Sequence, residues 1–156
     1  MSIDRRDVLL LLASAPGCAV LGAAAQAQTT GGARVSSVEE VIAPYVGGAV
    51  PVREGIELRL PDLADNGHVV PARVLVHSPM TEADHVRQIL LLSTRNPVRR
   101  MASFNLGPWS GRAEIGTRVR LAGTQTVVAL ARLSTGELRL ATREVVVTES
   151  ACLDQE

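Results

Sequence analysis

Cys152 lies in the stretch "TESACLDQE" (Thr148–Glu156), among acids and small residues that offer nothing to bury it. A thiol has three common uses. It attacks with a base beside it, it ligates a metal, or it holds a covalently attached group. Three histidines, His68, His77 and His85, are the available partners. A nucleophile needs its base held in fixed geometry, and a cysteine on a terminal stretch is poorly placed for that. The positions 68, 77, 85 and 152 match no tight ligand spacing such as H-x-x-x-H or C-x-x-C. The third use fits best. From Thr148 to Cys152 an extended chain spans roughly 13 Å, enough to carry a loaded thiol into another protein's active site and out again.

The other residues exclude more than they suggest. There is no glycine-rich phosphate loop and no G-x-S-x-G, so an enzyme is not expected. All 16 basic residues are Arg, formal net charge is zero, and acids are interspersed. The aromatics are Tyr45, Phe104 and Trp109. Neither a basic patch nor a stacking platform argues for nucleic acid.

The N-terminus sets the compartment. Arg5 and Arg6 precede the apolar run "VLLLLASAPGCAVLGAAA", and "AQA" (Ala25–Ala27) offers a cleavage site. Residues 1–27 read as a cleaved export signal, with the paired arginines of the twin-arginine route. Pro16 and Gly17 interrupt the run, so neither a permanent span nor a lipoprotein box at Cys18 is expected, and the mature form is expected without a membrane. The expected compartment is the periplasm. Cleavage removes Cys18 and leaves Cys152 alone in an oxidising space. Cys152 is then an intermolecular partner or a reactive thiol.

The elements that position this cysteine follow from periodicity. Residues 28–55 are a lead segment with one short helix, "SSVEEVIAPYVGG" (Ser36–Gly48). Ser36 or Ser37 caps it, Glu39 and Glu40 suit its first turn, and Gly47-Gly48 stop it. Val38, Val41, Ile42 and Tyr45 form its apolar stripe. The pattern then changes to period two. Strands are expected at Ile56–Leu60, Val69–Val76, Val86–Thr94, Met101–Leu106, Ala113–Leu121, Thr126–Leu133 and Leu138–Thr148. Pro61–Pro71 reads as a connection with an Asn66-Gly67 turn, and "STGE" around Gly136 as a hairpin loop. About seven strands at regular spacing predict an all-β, immunoglobulin-like antiparallel sandwich over residues 56–148, with a barrel as the alternative. Residues 149–156 remain as a C-terminal arm.

Several stretches then resemble one family. "IELRLPDLADNGHVVPARV", "SPMTEADHVRQI", "NPVRRMASFNLGP", "GTRVRLAGTQTVVALARLSTGEL" and "EVVVT" resemble, in order, segments of SoxY, the sulfur carrier of thiosulfate oxidation. The resemblance runs from Ile56 to Thr148. It implies a sandwich, a heterodimer with a SoxZ-like subunit, and a swinging arm whose cysteine carries sulfur intermediates between sulfur-oxidising enzymes. That partner is expected to cover the sandwich edges and the apolar stripe of the helix. The usual arm reads Gly-Gly-Cys-Gly-Gly. Here only Cys152 carries over, and Ala151, Cys152 and Leu153 resemble a related branch with an Ala-Ala-Cys-Ile-Glu arm. Ser150, Ala151 and Leu153 stiffen the tether relative to glycine. Glu149, Asp154 and Glu156 put negative charge near the thiol, which disfavours the thiolate and suits a partner with a basic entrance. No cofactor is expected beyond a covalent sulfur adduct on Cys152, and no metal. Two alternatives stand beside this reading. One is a metal-binding redox sandwich, as in superoxide reductases, using the histidines and Cys152. The other is a structural subunit cross-linked through Cys152.

Overall fold

The computed structural model describes residues 34–150. Helix α1 (Val38–Val46) opens the fold, with Ser37 as its N-cap. The Ser37 hydroxyl accepts from the Glu40 N–H while the Glu40 carboxylate accepts from the Ser37 N–H, a capping box. Gly47, at φ 57°, ends the helix in the left-handed conformation. Eight strands follow: β1 (Ile56–Arg59), β2 (Leu63–Asn66), β3 (Val70–Val76), β4 (Val86–Ser93), β5 (Arg100–Asn105), β6 (Ala113–Val119), β7 (Gln125–Leu133) and β8 (Leu138–Glu149). They form two sheets, in the orders β1-β3-β6 and β2-β8-β7-β4-β5.

The sandwich follows from the alternation. Val70, Ala72, Val74 and Val76 are buried along one face of β3, with exposed Pro71 and Arg73 between them. They meet Ile89, Leu91, Val127, Ala129, Ala131 and Val145 of the larger sheet in one core. β4 lacks alternation because both its faces are covered. Ile89 and Leu91 face the core, while Leu90 and Leu92 lie under α1 with Val128, Leu130, Leu138 and Leu140. Val41 and Ile42 of the helix complete that second cluster. Each such side chain contributes about 1.5–3 kcal/mol by leaving water.

Three expectations change. The segment expected to be a connection contains β2, which pairs in parallel with β8, so the larger sheet is not wholly antiparallel. β8 runs one residue further than expected, and Glu149 pairs with Asn66. The apolar stripe of α1 needs no partner, because the chain's own sheet covers it.

Candidate functional site

The end of β8 is the point from which any C-terminal arm must leave. β7 begins at Gln125, opposite Val145, so Val146–Glu149 overhang it. β2 takes up this overhang, with Leu63 opposite Val146 and Asn66 opposite Glu149. The turn after β2 adds to the grip. The Gly67 N–H donates to the Glu149 carbonyl at 2.9 Å, and the Thr148 hydroxyl donates to the Asp65 carbonyl at 2.7 Å. The Asn66 side chain accepts from the His68 N–H at 2.7 Å, which tightens the Asn-Gly turn.

The opposite wall is the β6–β7 turn. The Ser150 hydroxyl donates to the Ala122 carbonyl at 2.6 Å, and the Val147 N–H donates to the Thr124 hydroxyl at 3.0 Å. This turn is itself held from inside. Asn96 donates from Nδ2 to the Arg120 carbonyl at 2.8 Å. Its Oδ1 accepts from the Ala122 N–H and from Gln125 Nε2, both at 2.9 Å. Gln125 accepts in turn from the Ser93 hydroxyl, which also receives the Asn96 N–H at 2.7 Å. These three polar side chains are buried and mutually satisfied. Gly123, at φ 137°, lies against the Arg95 guanidinium, which donates to the Thr124 carbonyl at 3.3 Å.

Of the expected arm residues, Glu149 closes a strand and Ser150 is hydrogen-bonded to the sandwich, so both are anchored. Ala151, Cys152, Leu153 and Asp154 lie outside the described residues, as do Arg5, Arg6 and the rest of the expected signal. The histidines are not brought together. His68 precedes β3 and His77 follows it, so the 7-residue strand separates them. His77 Nε2 lies 3.2 Å from Glu57 Oε1, and His85 Nδ1 lies 3.0 Å from the Thr81 carbonyl. The Arg59 guanidinium, and after it His77, hold the Glu57 carboxyl below the usual carboxylate range. Among the described residues, no three His, Cys, Asp or Glu side chains cluster as metal ligands, and no helix is long and apolar enough to cross a membrane.

Asn96, Gln125 and Ser93 were not singled out by the sequence. Asn96-Pro97 reads only as the break after the strand expected at Val86–Thr94, and Gln125 stands just before the strand expected at Thr126–Leu133. The available signal was a polar residue next to each of two apolar runs, at ends the fold joins.

The family model described as sulfur oxidation protein SoxY matches residues 42–152, a span that ends on Cys152. No curated protein matches the chain. Among solved structures, the sulfur carrier protein SoxY from Chlorobium limicola f thiosulfatophilum is similar at 28% identity and a TM-score of 0.55, covering 70% of this chain and 94% of that one. The superoxide reductase (neelaredoxin) from Ignicoccus hospitalis is 18% identical with a TM-score of 0.54, covering 72% of this chain and 99% of that one. A putative superoxide reductase from Thermotoga maritima is 20% identical with a TM-score of 0.53, covering 60% and 86%. At those identities the two reductases share the fold alone.

Proposed function

The chain belongs to the SoxY family of sulfur oxidation proteins, and from that premise we propose that it holds a sulfur intermediate covalently on Cys152. SoxY proteins are carriers, not enzymes. The observation that carries the reading is the matched span ending on Cys152, two residues beyond a root clamped through Glu149 and Ser150. A cysteine a short way beyond a fixed root can be presented to other proteins, whereas catalysis on the spot would need partners fixed around it. In this reading the chain is exported through Arg5 and Arg6, works in the periplasm beside a SoxZ-like subunit, and visits sulfur-oxidising enzymes. The metal reading loses its geometry with His68 and His77 at opposite ends of β3.

Intact mass of the protein purified from its native periplasm tests the proposal. Species heavier than the free thiol, by sulfur-containing increments that reductant removes, are expected on the parent and absent from Cys152→Ser. A parent that carries only the free thiol during growth on reduced sulfur compounds would sink the proposal. Recovery solely as a covalent dimer would favour the cross-linked subunit.

A further inference from the structure

Among the described residues, no helix packs on the outer face of the small sheet, which holds a groove of about 740 Å³. Register sets its lining. Arg59 stands opposite Arg73, Arg73 opposite Gly116, and Pro71 opposite Arg118. Three guanidiniums therefore share the groove with the apolar Pro61 and Pro71, and no acid is among its described lining residues. Arg59 and Arg73 reach carboxylates at one end, Glu57 at 2.7 Å and Glu114 at 3.4 Å. Arg118 has no ion pair among the described residues. Gly116 leaves the floor open: a Cβ there would meet nothing within 4 Å. A volume of this size suits a ligand of many atoms, not one small oxyanion.

We propose that this groove docks the chain's own residues Leu153–Glu156, with the Asp154 and Glu156 carboxylates on the guanidiniums and Leu153 against Pro61 and Pro71. Three features argue for that occupant. The chain leaves the described region at Ser150, which is held on Ala122, in the turn that follows the strand of Arg118. Asp154 and Glu156 are four and six residues beyond Ser150, a reach of roughly 13 and 20 Å, against sheets packed about 10 Å apart. The charge and the apolar residue of the segment complement the lining. Docking gives the arm a parked position outside the partner's reach. That meaning rests on the carrier reading, although the docking does not.

The test uses the full chain with Cys18→Ser and a nitroxide on Cys152, read by electron paramagnetic resonance. An immobilised component is expected at low salt, and 0.5 M NaCl should release it. Arg118→Gln should lower the docked-to-free ratio about two- to fivefold, the effect of one partly exposed ion pair. Asp154→Asn with Glu156→Gln should do the same, and Gly116→Leu should block docking by filling the floor. The exchanged pair Arg118→Glu with Asp154→Arg should restore it. Far-UV circular dichroism checks that each variant is folded. A spectrum unchanged by Arg118→Gln and by salt overturns the proposal. So does immobilisation that grows with protein concentration, which would identify a second copy as the occupant. Failure here leaves the mass shift on Cys152 intact, and loss of the mass shift leaves this result intact, so the two readings fail separately.

Discussion

Asn96 shows how one side chain governs the root of the arm. It satisfies the Arg120 carbonyl, the Ala122 N–H and the Gln125 amide together. Asn96→Ala strands these buried groups, and we expect a loss of about 3 kcal/mol in urea unfolding. Ser150→Ala removes the hydroxyl bond to the Ala122 carbonyl and should cost under about 1.5 kcal/mol. Equal losses would mean that the network does not hold the turn. Glu57 offers a pH test at the far end of the fold. Its carboxyl is held low first by Arg59 and then by His77. A lowered folded-state value means that the interaction is fully present at neutral pH and is lost as pH falls through that value. Arg59→Gln should move the Glu57 titration upward in carboxyl NMR, and an unmoved midpoint would remove Arg59 as the cause.

At the scale of elements, legibility tracked burial. β3 alternates because one face is core, and β4 is a continuous apolar run because α1 covers its second face. Both were readable from the residues. β2 was not. Of Leu63, Ala64, Asp65 and Asn66 only Ala64 is buried, so no period-two signal exists. That strand forms because the overhang of β8 offers unpaired backbone groups. The helix itself was legible from its cap and stripe, but a stripe does not say which surface it meets. The stripe packs on this chain's own sheet, so Ile42→Ala should destabilise the isolated protein by about 2–4 kcal/mol. A loss seen only in the presence of a partner subunit would contradict that packing. The site was legible only in part. A cysteine near the C-terminus is conspicuous in the sequence, whereas Ser93, Asn96 and Gln125 join only after distant strands are aligned.

The described residues form three layers: small sheet, larger sheet, helix. α1 protects one outer face, and no other described element covers the small sheet's outer face or the β5 edge. Open edges invite pairing, and we expect a SoxZ-like subunit to co-purify and to sediment with this chain as a heterodimer. A monodisperse monomer in the presence of every such subunit made by the same cell would count against it. The clamp on β8 has a mechanical meaning as well. A pull on the chain beyond Ser150 acts along β8, nearly at right angles to the hydrogen bonds that join it to β7 and across the slanted ones that join it to β2. Those bonds share the load, whereas bonds at a peeled edge break one by one. The Ser150 hydroxyl bond to Ala122 lies outermost and gives way first, like a fuse. On the proposed carrier role, an enzyme drifting off with its grip on Cys152 would free Ser150 before it disturbed the sandwich.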